Sequence, residues 1–247
     1  MPNPLARPRP DLSLRDAGLR ELMDDPGCDP RALRRTYARF DVVNALVAGW
    51  RATYRRGIRP LARTGRPLTL LDVGSGGGDV ARRLARWAAR DGIDLRITGV
   101  DPDARAHDWA TARTARWSAR HPEATPPVFR RTTSRELAAA GESFDVVVSN
   151  HLLHHLDPAE VRELVGDSER LARRVVVHND LVRSTAAYRL YGVAVLPLAP
   201  GSFLRTDGLR SLRRAYLPGE LLELAGPGWR VPPGSFAHQQ MTLDVHP

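Results

Sequence analysis

The 247-residue chain contains no lysine, and Cys28 is its only cysteine. The first absence rules out a phosphate-cradling Walker loop, which needs a lysine behind its glycines, and any Schiff-base or lysine-nucleophile chemistry. The second rules out an internal disulfide and a cysteine-based zinc cluster. No apolar run approaches the roughly 20 residues of a membrane span, and the N-terminus has no apolar signal core. A cytoplasmic protein is therefore expected. Internal repeats are also missing, and low complexity is confined to the first eleven residues.

Hydrophobic residues make up 42% and charged residues 26% of the chain, as in a soluble globular protein. The length suits one large domain, or one domain with a cap. Net charge is +9 and pI about 10.9, a balance shared with nucleic-acid binders. Yet the arginines, as in Arg34-Arg35, Arg82-Arg83, Arg130-Arg131 and Arg213-Arg214, are spread along the chain without forming a tail or stripe. They read as a solvated surface, with an anionic partner as the alternative.

The organising stretch is Leu70-Leu71-Asp72-Val73-Gly74-Ser75-Gly76-Gly77-Gly78-Asp79-Val80. It has the pattern of a buried strand that ends in a glycine-rich turn and opens a helix, the arrangement that builds nucleotide pockets in α/β proteins. A dinucleotide loop, G-x-G-x-x-G, would need a third glycine where Asp79 stands; the spacing here is G-x-G-x-G. A small zwitterionic nucleoside is the expected guest. Asp101 follows strand 2, 23 residues beyond Gly78 (101 − 78), where a bidentate carboxylate can accept both hydroxyls of a ribose.

The run LLDVGSGGGDVARRLA resembles motif I of the class I S-adenosylmethionine-dependent methyltransferases. The likeness continues in Phe144-Asp145-Val146-Val147-Val148-Ser149-Asn150-His151-Leu152-Leu153-His154-His155-Leu156, similar to the F-D-x-V and L-H-H-L segments of small-molecule members. Phe40-Asp41-Val42-Val43-Asn44 is similar to the Y-D-x-x-N arm of ubiquinone and menaquinone methyltransferases. The nucleic-acid amino-methylating signature [DN]-P-P-[YFW] is missing after strand 4, which disfavours DNA or RNA.

The resemblance implies an α/β fold: a Rossmann-like seven-stranded mixed sheet with helices on both faces, an N-terminal helical cap and an insertion after strand 5. Residues 1–66 would be a mobile tail and cap, 67–247 the methyltransferase core, and 181–218 a substrate lid. The cap is expected to hold helices over Leu12–Asp24 and from Pro30 onward, the latter with Leu33, Tyr37, Phe40, Asn44 and Val47 on one face. The closing strands are expected at Trp229–Val231 and Gln239–Val245.

The implied cofactor is S-adenosyl-L-methionine, held by Asp72, Gly74, Ser75, Gly76, Gly78, Asp101, Pro102 and Asn150. Thr133 and Ser134 stand where many members place an adenine-binding acid, leaving adenine to hydroxyl or backbone contacts. Phe40, Asn44, Tyr188 and Tyr191 are the candidate acceptor-binding residues. The implied acceptor is a small hydrophobic aromatic, a phenol, hydroquinone or polyketide-like natural product. Oxygen is preferred over carbon as the methylated atom, and an RNA- or protein-directed enzyme is the competing reading; a non-catalytic module is a third.

His151 and His154 are candidate general bases, since a neutral imidazole at this turn can accept a phenolic proton, and Asp180 is the orienting partner or alternative base. His151 and His155 have metal-compatible spacing, but no glutamate lies between them and no cysteine is available, so no metal is assigned. The apolar 181–218 surface also suits a homodimer interface.

Overall fold

The computed structural model describes residues 10–47, 49–63, 65–235 and 237–245. The expected mobile tail lies, through residue 9, outside the described residues. At the centre is strand β1 (Leu68–Val73), flanked by parallel β2 (Leu95–Val100) and β4 (Phe144–Asn150). With β3 (Val128–Arg130), β5 (Ala172–Leu181) and β6 (His238–Asp244) the sheet runs β3-β2-β1-β4-β5-β6, and only β6 is antiparallel to its neighbour. The chain leaves β1 toward β2 and β3, then returns to the other side of β1 as β4. The crevice at the carboxyl ends of β1 and β4 is therefore a topological switch point, where α/β sheets open a ligand site.

The central strands β1 and β4 are buried on both faces, and the alternation along the strands sorts side chains to two helical layers. Leu70, Val146 and Val177 pack with Trp50, Tyr54 and Ile58 from the segment opened by α2 (Trp50–Thr53). Val80, Leu84 and Ala88 of α3 (Asp79–Arg90) join the same cluster. Leu71, Val147 and Val176 pack on the other side against Val161, Leu164 and Val165 of α6 (Pro158–Leu171), with Leu221 of α9 (Pro218–Ala225). Each fully buried aliphatic side chain contributes about 1.5–3 kcal/mol. Helix α1 (Pro30–Val47) starts as expected, with Asp29 accepting from the Arg31 N–H at 2.8 Å.

Among the described residues the sheet has six strands, not seven. Trp229–Val231 pairs with β6 only at the isolated bridge Arg230–Thr242. Gly226 and Gly228, both at positive φ, precede that bridge and Pro232-Pro233 follow it, so the backbone lacks the N–H groups to extend a ladder. The helix expected over Leu12–Asp24 does not form either. Its backbone groups are taken by distant partners: the Asp16 N–H donates to the Arg213 carbonyl, and the Leu22 and Met23 N–H groups donate to Asp207. Those partners, Asp207 and Arg213, lie on α8 (Leu204–Arg214). Among the described residues no helix is long and apolar enough to cross a membrane.

Buried Arg183 ties the amino-terminal segment to the insertion. It donates to the Leu12 carbonyl at 3.1 Å, to the Ala215 carbonyl at 2.6 Å and to Glu220 at 2.7 Å. Replacing it by methionine leaves these acceptors unpaired, and Arg183→Met is expected to cost about 3 kcal/mol. A urea midpoint unchanged from wild type, with no faster tryptic cleavage at Arg15 and Arg20, would contradict this.

Candidate active site

The turn after β1 is built from glycine because its backbone demands it: Gly74 and Gly76 have φ of 64° and 50°. A Cβ on Gly76 would meet no atom within 4 Å, so this turn of backbone faces open space. That space is a cavity of about 390 Å³ at the switch point, walled by the glycine turn, α1, the ends of β2 and β4, the amino-terminal segment and the insertion.

Asp72, at the end of β1, is buried, and neither of its carboxylate oxygens has a hydrogen-bond partner. Burial, and then the nearby Asp79 and Asp101, push its pKa well above the usual carboxylate range. Asp101 accepts from the Gly76 N–H at 3.0 Å and the Asp103 N–H at 2.9 Å, and burial raises its pKa too. Asn44 donates to Asp79 at 3.0 Å while its own carbonyl oxygen stays buried and unpartnered. Among the described residues the cavity wall holds Glu21, Asp24, Asp72, Asp79, Asp101, Asp103 and Asp207 and no arginine, in a chain of net charge +9. Such a wall is complementary to a cation.

At the end of β4, Asn150 accepts from the Trp50 indole and from Asn179, both at 2.8 Å. His151 follows with φ of 54°, the only positive value at a non-glycine residue among those described. Its N–H donates to the Asn179 carbonyl, and its Nε2 lies 3.1 Å from Nε2 of His238 on β6. Burial, reinforced by His238, lowers the His151 pKa to about 3, and burial lowers that of His238 to about 4. The pair is neutral at pH 7, one ring donating and the other accepting.

His154 has the opposite character. Burial alone would disfavour its charge, but Asp180 at 2.6 Å from Nδ1 and Glu21 at 3.4 Å from Nε2 raise its pKa above the ordinary range. These two carboxylates favour the charged imidazolium, whereas the base expected at this position is a neutral ring; of the two candidates His151 is the one that burial keeps neutral. Asp180 does not line the cavity, because it is turned onto His154 and accepts from its backbone N–H as well.

Of the remaining expected residues, Phe40, Asn44, Asp72, Gly74, Ser75, Gly76, Asp101, Asn150 and Tyr191 line the cavity. Gly78, Pro102, Thr133, Ser134 and Tyr188 do not. Gly78 caps α3 and faces the Phe129 ring. Thr133 caps α5 (Ser134–Ala139) in a reciprocal pairing with Glu136, and the Ser134 hydroxyl donates to Asp167. Tyr191, on α7 (Thr185–Ala194), faces the cavity with its hydroxyl donating to the Leu204 carbonyl, while Tyr188 lies elsewhere on that helix. Glu21, Asp24, Asp207 and His238 were missed. Only His238 carried a local signal, a histidine beside two amides in a closing strand.

A family model described as "Methyltransferase domain" matches residues 70–174. A ubiquinone biosynthesis O-methyltransferase of Methylobacterium sp. (strain 4-46) is 39% identical over 101 residues, 40% of this chain and 34% of the relative. One of Rhizobium etli (strain CIAT 652) is 32% identical over 95 residues, 38% of this chain and 33% of its own length. The chain thus spans about a third of the length of the curated relatives it matches. Among solved structures, magnesium protoporphyrin IX methyltransferase (ChlM) from Synechocystis PCC 6803 with bound SAH has a TM-score of 0.53 at 15% identity, covering 91% of both chains. The plantazolicin methyltransferase BpumL with SAH has a TM-score of 0.53 at 11% identity, covering 87% of this chain and 96% of its own. At these identities the likeness is one of fold.

The Glu21–His154–Asp180 triad has a pH signature. Against the pull of burial, Glu21 is held below its ordinary value of 4.5 by the neighbouring His155 and then His154, and Asp180 below its ordinary 3.8 by the charge and hydrogen bond of His154. Their stabilisation is present above about pH 4.5 and lost as pH falls below it. That of His154, whose pKa is raised, is complete below its ordinary 6.5 and fades at alkaline pH. Asp180→Asn leaves a buried charge short of a partner and is expected to cost about 3–5 kcal/mol at pH 7. Equal urea midpoints for variant and wild type at pH 7 would contradict the triad.

Proposed function

We propose that the chain, whose residues 70–174 match a family model described as "Methyltransferase domain", transfers a methyl group from S-adenosyl-L-methionine to a hydroxyl of a small, largely apolar aromatic acceptor. The observation that carries this reading is the acidic cavity at the switch point, with the unpartnered carboxylate of Asp72 in its wall. S-adenosylmethionine bears an ammonium, a sulfonium and one carboxylate, a net positive charge that suits this wall. When bound, it supplies a sulfonium-activated methyl group.

Asp72 would take the ammonium, the backbone of Gly74, Ser75 and Gly76 would lie along the amino-acid portion, and Asp101 would accept the ribose hydroxyls. Asp101 would exchange its present Gly76 N–H bond for part of that contact. Phe40, Asn44 and Tyr191 would border the acceptor, together with Leu190 and Ala194 of the insertion. The protein's task is then to align acceptor and methyl group and to exclude water. His151, neutral and next to His238, would accept a hydrogen bond from the acceptor hydroxyl and take its proton only as the new methyl–oxygen bond forms and makes that proton strongly acidic.

An apolar lid over an acidic wall supports a small uncharged acceptor and argues against a polyanion, for which the cavity offers no arginine. Carbon methylation is the second reading, supported by the Phe40 and Asn44 positions at the cavity.

The test is incubation with methyl-labelled S-adenosylmethionine and a cell extract fractionated by polarity. Label is expected in an apolar aromatic fraction, and its release as methyl iodide on treatment with hydriodic acid would separate oxygen from carbon transfer. Asp101→Ala is expected to weaken S-adenosylmethionine binding about 10- to 100-fold, the loss of one or two hydrogen bonds to a charged group. Label confined to RNA or protein, or an Asp101→Ala affinity equal to wild type, would overturn the reading.

A further inference from the structure

We propose that Glu21, His154 and His155 form a binding site for one divalent transition-metal ion of the zinc class, set in the wall of the same cavity. Oε1 of Glu21 lies 3.4 Å from Nε2 of His154 and 3.8 Å from Nε2 of His155, and the three donor atoms fall within 4.8 Å of one another. Donors at the usual 2.0–2.1 Å from a tetrahedral ion stand about 3.4 Å apart. Small side-chain rotations close the set.

Two further observations point to an ion rather than to a chance cluster. Nε2 of His154 is buried and has no hydrogen-bond partner, although Glu21 stands beside it. The far nitrogen of each imidazole is also held by a carboxylate: Nδ1 of His154 by Asp180 at 2.6 Å, and Nδ1 of His155 by Asp24 at 3.3 Å. A carboxylate there keeps the proton on Nδ1, so that Nε2 is the nitrogen left to a metal, and makes it a stronger donor, as in carboxylate–histidine–metal arrangements. Glu21 is itself oriented, accepting from the Ser211 hydroxyl at 2.6 Å.

Two imidazoles and a carboxylate favour borderline ions over magnesium or calcium, which prefer all-oxygen sets. Three protein donors leave the ion's other positions open toward the cavity, which all three residues line. In the metal-free chain a proton on Nε2 of His154 occupies the place between imidazole and carboxylate, and binding expels it. The role of the ion rests on the methyl-transfer reading: it would polarise the acceptor hydroxyl beside His151, whose ring centre is 6.4 Å from that of His154. The site itself does not depend on that reading.

The test is calorimetric titration of the full chain with Zn²⁺, with Co²⁺ as an absorbing probe. One ion per chain is expected, with a visible Co²⁺ band of nitrogen and oxygen ligation. His155→Asn and Glu21→Gln should each weaken binding at least about tenfold with unchanged circular dichroism. His107→Asn, altering a half-buried histidine paired with Asp108 away from the cavity, should bind as wild type does. Absence of saturable binding, equal affinity in His155→Asn and wild type, or a Co²⁺ spectrum of the water-ligated ion even where the variants fail to fold would each overturn the proposal. S-adenosylmethionine affinity is measured in parallel: its loss with metal binding intact counts against methyl transfer alone, and the reverse against the metal site alone.

Discussion

The buried charge arrangement of Glu21, His154 and Asp180 joins four parts of the chain that no local pattern connects. Glu21 comes from the amino-terminal segment, His154 from the turn after β4 and Asp180 from β5; Ser211, bonded to Glu21, comes from α8. Three charges out of water are tolerable only when each is paired and hydrogen-bonded. The amino-terminal segment must therefore lie across the carboxyl ends of the strands. Its placement there closes one side of the cavity and removes from it the helix that its sequence favours.

With that wall in place, the cavity is divided by charge. One side, along the glycine turn and β2, holds Asp72, Asp79 and Asp101, whose pKa values burial raises. The other side holds mostly apolar residues of the insertion, Leu190, Ala194 and Leu212, with Asp207 beside them. A molecule with a cationic end and an apolar partner beside it satisfies both. Among the described residues no arginine enters the cavity wall, so the overall basicity and the local chemistry of the site are separate properties of the chain.

Legibility in the sequence follows the distance along the chain over which each feature is built. The glycine turn, Asp101 and the β4 turn are local, and each stands at the cavity. The Glu21–His154 contact spans 133 positions (154 − 21), and nothing near Glu21 marks it. Thr133 was read for its place after β3, yet the Thr133-x-x-Glu136 spacing is a helix-start signature, and the capping bond is what the hydroxyl does. Trp229–Val231 has strand-like residues, but its flanking glycines and prolines limit it to one bridge. The sequence pattern of α7 did not separate Tyr188 from Tyr191, because the packing of α7 on α8 decides which ring faces inward.

The central claim is that the acidic wall receives a cationic nucleoside. In the free chain Asp72, Asp79 and Asp101 hold protons more tightly than ordinary carboxylates, and a cation beside them favours their ionised forms. Binding must then release protons, and affinity must rise with pH. Calorimetry of S-adenosylmethionine binding in two buffers of different ionisation enthalpy measures this directly. Saturable binding is expected, with a heat that differs between the buffers in the sense of proton release and an affinity that falls on acidification. Absence of binding, or binding with proton uptake, would contradict it.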